Sequence, residues 1–206
     1  FGVLTVEDGE VVERAVLSAL EAGYRSIDTA TVYGNERGVG KALRESGIPR
    51  EEIFLTTKVW NDAQREKRTM TAFEESLERL GTDYVDLYLV HWPVEGCYQE
   101  AWQEVQKIYQ SGRAKAVGVS NFQIHHLEDI LPDSQIVPAV NQIEFHPFLV
   151  QPKLLEFCRS HSIQVEAWSP LMQGEIFTEQ TVRELAEKYN KTIAQIVLRW
   201  DLQHEV

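Results

Sequence analysis

Tyr84-Val85-Asp86-Leu87-Tyr88-Leu89-Val90-His91-Trp92-Pro93 is the stretch that decides the fold. It is a near-continuous apolar run that ends abruptly on an ionisable ring. An uninterrupted run of β-formers marks a strand covered on both faces, as in a parallel sheet, rather than the alternating pattern of a half-solvated one. Ala114-Lys115-Ala116-Val117-Gly118-Val119 reads the same way. Two further β-rich runs end as the first does: Tyr24-Arg25-Ser26-Ile27 stops at Asp28, and Ile53-Phe54-Leu55-Thr56-Thr57 stops at Lys58. An ionisable group at the tip of a buried strand faces a site, because burying it without a partner costs several kcal/mol.

Around these runs, strand and helix signals alternate. Strands are expected near 24–28, 53–58, 84–90, 114–119, 137–143 and 163–168, with Phe1-Gly2-Val3 as a short one at the front edge. Helical periodicity covers 10–22, 36–46, 67–80, 98–111, 123–131, 151–161 and 178–202, the last broken near Asn190. Within 67–80, Met70, Phe73, Leu77 and Leu80 recur at three- and four-residue steps, with Glu74, Glu75, Glu78 and Arg79 between them. Strict β/α alternation leaves an open doubly wound sheet or a closed α/β (β/α)8 TIM barrel. The dinucleotide fingerprint of the open form is absent, since Gly34, Gly38 and Gly40 neither fit G-x-G-x-x-G nor close a first strand. The barrel is the better fit, although the strands counted fall one short of closure. The chain is therefore expected to lack its last β/α unit.

Composition narrows the function classes. The 206 residues are 43% apolar, enough for a sizeable core, and a single domain over 1–206 is the expectation. A net charge of −12 without any Lys/Arg cluster excludes an extended nucleic-acid surface. No apolar run reaches the roughly 20 residues of a membrane span. Cys97 and Cys158 stand far apart with no metal-ligand spacing, as reduced thiols of a cytoplasmic protein do. No metal site is expected.

In a parallel barrel the residues just beyond the strand ends build the active site. That rule puts Asp28, Lys58 and His91 on one rim, and the loop after Asp28 brings Tyr33 over it. An ammonium within roughly 4–6 Å favours phenolate and lowers a tyrosine pKa from near 10, so Tyr33 is expected to be tuned towards neutrality. Asp28 keeps Lys58 charged, and His91 can hydrogen-bond a carbonyl oxygen. The quartet has neither a nucleophile with its base nor a set of metal ligands. It can protonate a carbonyl, so another molecule must bring the hydride. Alone, each residue has an ordinary reading: Asp28 as a helix cap, Lys58 as a surface residue, His91 as a core histidine and Tyr33 as a loop aromatic. A Schiff-base lyase or aldolase using Lys58 is the rival enzyme class, and a non-catalytic nicotinamide-cofactor-binding module the rival outside catalysis.

Gly23-Tyr24-Arg25-Ser26-Ile27-Asp28-Thr29-Ala30, Tyr33-Gly34-Asn35-Glu36 and Gly38-Val39-Gly40 closely resemble the first signature of the aldo-keto reductase family. The likeness continues, in the family's order, through Thr57-Lys58-Val59-Trp60, Val90-His91-Trp92-Pro93, Gly118-Val119-Ser120-Asn121-Phe122, Asn141-Gln142-Ile143-Glu144-Phe145-His146-Pro147 and Ala167-Trp168-Ser169-Pro170-Leu171. Within the family it looks most like bacterial 2,5-diketo-gluconate and methylglyoxal reductases. The resemblance implies NADPH as cofactor, small carbonyl substrates and a monomer. Tyr33 would be the acid, Lys58 and Asp28 its tuning pair, and His91 the orienting group. Ser120, Asn121 and Gln142 match positions that hold the nicotinamide carboxamide, and Trp168 the aromatic under the ring. Ser169 and Leu171 match positions near the pyrophosphate. Trp60, Trp92 and Leu4 would wall the substrate pocket beside His91, with Leu4 standing where relatives often carry an aromatic. The family's front hairpin, and its final strand with the 2′-phosphate-gripping segment, have no counterpart in 1–206. The resemblance therefore implies a chain incomplete at both ends.

Overall fold

A computed structural model describes residues 1–206. Six parallel strands form one sheet in chain order: β1 Ser26–Asp28, β2 Phe54–Val59, β3 Val85–Val90, β4 Ala114–Ser120, β5 Val140–Glu144 and β6 Gln164–Trp168. Gly2 adds a parallel bridge to Asp28 on the outer side of β1, which places the front segment as expected. Between and after the strands run α1 Glu10–Glu21, α2 Glu36–Glu45, α3 Asn61–Arg65, α4 Thr69–Leu80, α5 Tyr98–Gln110, α6 Ile124–Ile130, α7 Pro152–Ser160, α8 Gln180–Tyr189 and α9 Ile193–Gln203.

The sheet is curled, not flat. β1 and β5 lie four places apart, which in a flat sheet means roughly 19 Å at about 4.8 Å per strand. Yet the Gln142 amide on β5 donates to the Asp28 carboxylate on β1 at 2.9 Å. Only a sheet that curls as a barrel does brings those tips together, and the six parallel strands with their helices follow the pattern of a (β/α)8 barrel without its full set of eight strands.

Local chemistry explains the elements. In α4, Ala72, Phe73, Leu77 and Leu80 are buried, and the helix stops at Gly81, whose φ of 65° is the left-handed geometry that glycine tolerates. The helical stretch expected over 178–202 is broken at Asn190, left-handed at φ 50°, and Thr192 then caps α9 by accepting from the Gln195 amide. Two sequence expectations shift. β5 starts at Val140 rather than 137, since Pro138 has no N–H for a ladder. The five-residue α3 is too short to show a period.

The main apolar core lies between sheet and helices, where Phe73 meets Tyr88 edge-on at 4.8 Å and Trp102 is fully buried. At the strand starts, Asp86 interrupts its apolar run with two cations in reach, Arg50 at 2.8 Å and Lys115 at 3.0 Å. That end of the barrel is neutralised from within the fold. α2 packs tightly on the end of α4, where a Cβ on Gly40 would fall 2.0 Å from the Leu80 carbonyl oxygen. Gly40→Ala should cost about 2–3 kcal/mol by forcing the helices apart, read as a lower urea midpoint. An unchanged midpoint would show that the contact yields freely.

Candidate active site

The opposite end, where the strands finish, collects the ionisable groups. Lys58 projects from the end of β2 and is 0% exposed. Its ammonium donates to Asp28 Oδ1 at 2.5 Å and to the Thr29 carbonyl at 3.0 Å, and reaches the Tyr33 hydroxyl at 3.5 Å. A buried ammonium is tolerable only with such partners. Burial works against its charge, but Asp28 and then Tyr33 outweigh that and raise its pKa above 10.5. Lys58 is held as a cation.

Tyr33 sits in a 3₁₀ turn, Thr31–Tyr33, pinned where the Thr31 hydroxyl donates to the Lys58 carbonyl at 3.0 Å. Here the sequence expectation of a phenol tuned towards neutrality is corrected. Burial is the largest influence and pushes the phenol up, Lys58 pulls it down, and Asp28 pushes it up again, leaving the pKa above its ordinary 10.0. The resting phenol therefore keeps its proton, with the Lys58 ammonium 3.5 Å from its oxygen.

His91 follows β3, with Tyr33 at 5.7 Å and Trp60 at 5.1 Å between ring centroids, both edge-on. Burial, then Lys58, lowers its pKa to about 3, so the ring is neutral at physiological pH. Its Nδ1 is buried without a partner. A neutral imidazole donates one hydrogen bond, which suits a carbonyl oxygen.

A second group adjoins the quartet. The Asn121 amide nitrogen donates to the His91 carbonyl at 2.9 Å and to Ser120 Oγ at 3.1 Å, and Asn121 Oδ1 accepts from the Trp168 indole at 2.8 Å. Asn121 takes the left-handed φ of 64° that asparagine tolerates. Ser120 Oγ donates to the Gln142 carbonyl at 2.8 Å. Asp28, Tyr33, Lys58, His91, Trp60, Ser120, Asn121, Gln142 and Trp168 are thus joined by direct hydrogen bonds or ring contacts. Ser169 and Leu171 follow Trp168 in the half-buried loop after β6. Trp92 and Leu4 are the exposed members, at 40% and 49%. The Trp92 carbonyl accepts from Gln64 at 2.9 Å, which ties its loop to α3.

The sequence reading missed Glu166. Its Oε1 accepts from Gln142 Nε2 at 2.7 Å, and the same nitrogen donates to Asp28. The available signal was a carboxylate two residues before Trp168, on the same face of β6. Burial first and Asp28 second raise its pKa.

An aromatic shelf, amides with fixed ends and a phenol–ammonium pair suit a planar amide-bearing ring beside a carbonyl. No cluster of three or more His, Cys, Asp or Glu side chains is placed to hold a metal ion. No helix is long and apolar enough to cross a membrane.

Comparison with known proteins points the same way. The chain is 53% identical over 205 residues to the glyoxal reductase of Bacillus subtilis (strain 168), covering 100% of this chain and 74% of the relative. It is 50% identical over 205 residues to the methylglyoxal reductase DkgA of Salmonella typhimurium (strain LT2), covering 98% and 74%. Among solved structures, a Bombyx mori aldo-keto reductase in complex with NADP superposes with a TM-score of 0.90 at 38% identity, covering 99% of this chain and 76% of that one. The model of the aldo/keto reductase family matches residues 4–206, from the turn beyond the first bridge through the last helix. Fold, strand-tip chemistry and sequence agree, and the chain belongs to the aldo/keto reductase family.

Proposed function

We propose that residues 1–206 act as one catalytic domain that reduces the carbonyl group of small aldehydes and ketones with NADPH, glyoxal and methylglyoxal first among them. The observation that carries this reading is the buried Lys58 ammonium, paired with Asp28 at 2.5 Å and 3.5 Å from the Tyr33 hydroxyl. When bound, the nicotinamide supplies the hydride that the carbonyl carbon accepts. The substrate oxygen takes its proton from Tyr33, so two electrons and one proton arrive as hydride and a second proton from the phenol. Lys58 steadies the phenolate left behind, and Asp28 keeps Lys58 charged. Neutral His91 donates to the same oxygen and sets its approach. Trp60 and Trp92 wall the pocket with apolar surface, and Leu4 leaves one side of it open.

The free hydrogen-bonding ends test whether the cofactor fits. Both hydrogens of Gln142 Nε2 are engaged, so its Oε1 is the end left to accept from a carboxamide N–H. Asn121 Oδ1 has a second lone pair beyond its Trp168 bond. The Trp168 ring offers a flat polarisable shelf beside them. These residues fit the nicotinamide, and Ser169 and Leu171, in the half-buried loop after Trp168, would hold the cofactor's phosphates.

A Schiff-base mechanism needs a neutral Lys58, and its surroundings hold it protonated. The test is loss of NADPH absorbance with glyoxal, methylglyoxal and simple aldehydes and ketones, run beside NADH. Oxidation of NADPH dependent on the carbonyl compound is expected. No oxidation with any of them, together with borohydride trapping of an adduct on Lys58, would transfer the case to the lyase.

A further inference from the structure

Glu166 has no part in the chemistry above, yet it shares one nitrogen with the catalytic quartet. Gln142 Nε2 donates to Asp28 Oδ2 at 2.9 Å and to Glu166 Oε1 at 2.7 Å. Gln142 and Glu166 are register partners on β5 and β6, so the contact is built into the sheet. Trp168 lies two residues further along β6, on the same face as Glu166 by the two-residue period of a strand.

Holding Glu166 there is costly. A second acid stands across a single amide from Asp28, in a mostly buried setting that disfavours its ionised form. A plain apolar side chain would fill the space without that cost. What the carboxylate adds is directional. An amide tied by one hydrogen bond pivots about it, whereas two acceptors on the same nitrogen fix the plane. Only the NH2 end can face two carboxyl acceptors, so the orientation is fixed as well.

We propose that Glu166 is a positioning residue: with Asp28 it clamps the Gln142 amide so that only the carbonyl oxygen is presented to the nicotinamide carboxamide. The inference rests on the carbonyl-reductase reading, since the clamp matters only if a nicotinamide binds there. Because Gln142 Oε1 is one of the two acceptors offered to the carboxamide, beside Asn121 Oδ1, the clamp biases which way that group turns, and with it which face of the ring meets the substrate. It joins the orienting amide and the aromatic shelf through neighbouring strands.

The test compares Glu166→Met, which keeps length but loses the acceptor, with Glu166→Gln, which keeps a carbonyl acceptor. Tryptophan-fluorescence titrations measure binding of NADP+ and of 2′-phospho-ADP-ribose, which has everything but the nicotinamide ring. Glu166→Met should weaken NADP+ about fivefold to tenfold, the scale of one hydrogen bond, and leave 2′-phospho-ADP-ribose within about twofold. Glu166→Gln should bind both as the unaltered chain does. With NADPH deuterated separately on each C4 face, Glu166→Met should transfer a measurable share from the normally silent face. An equal loss for both ligands in Glu166→Met, or no loss for either, would overturn the clamp and leave the carbonyl-reductase reading standing. Failure of the unaltered chain to bind NADP+ would overturn both.

Discussion

Tyr33→Phe should lower kcat by about 10²- to 10⁴-fold, the range that a positioned general acid supplies. NADP+ binding should stay within about twofold, because none of the groups assigned to the carboxamide touches the phenol oxygen. The expectation follows from the structure in two steps. The hydroxyl is the one weak acid within reach of the buried ammonium. His91, the nearest other candidate, is neutral with a pKa near 3, so it holds no spare proton to release at physiological pH. A Phe ring keeps the edge contact with His91, so the loss reports on the proton and not on packing. Steady-state kinetics beside a fluorescence titration check it, and reduction retained near the original rate would take the acid role from Tyr33.

Lys58→Met should be as damaging to turnover and, unlike Tyr33→Phe, costly to the fold. Removing the ammonium leaves the Asp28 carboxylate with only Gln142 for a partner, and breaking a buried ion pair from one side costs about 3–5 kcal/mol. The same change strips Tyr33 of the one influence that lowers its pKa, so the phenol becomes a weaker acid still. These two losses can be separated. Adding Asp28→Asn removes the stranded carboxylate, so the double variant should recover much of the urea midpoint while remaining inactive. If stability and activity returned together, the ion pair would be a scaffold and not part of the chemistry. Lys58 itself adds no pH dependence near neutrality. Its folded pKa lies above 10.5, so the stability it contributes is full below that value and fades only as the pH rises through the folded one.

How much was legible in the sequence follows the physics of each feature. β3 and β4 announced themselves because their runs are nearly all apolar, with Asp86 and Lys115 as lone interruptions near the strand starts. Asp28, Lys58 and His91 stood out because each ends such a run, where an unpaired charge would be expensive. Glu166 was hidden for the converse reason. Val165-Glu166-Ala167-Trp168 alternates as a half-exposed strand does, and nothing in one sequence says which face of a barrel strand points inward. The direction of the Tyr33 pKa was out of reach too. It depends on the balance between desolvation and one ammonium, and desolvation is a property of the assembled site. Asp86 looks like the strand-tip acids on the page, but it lies near the other end of its strand and is matched by Arg50 and Lys115. Position along the strand, more than residue type, separates the ion pair at the strand starts from the one proposed for chemistry at the strand ends.

The most direct measurement is a crystal structure of this chain with NADP+ bound. The nicotinamide is expected stacked on Trp168, its carboxamide nitrogen donating to Gln142 Oε1, with ring carbon C4 open on the side of the Tyr33 hydroxyl. A ring seated elsewhere, or a C4 turned away from Tyr33 and Lys58, would contradict that expectation.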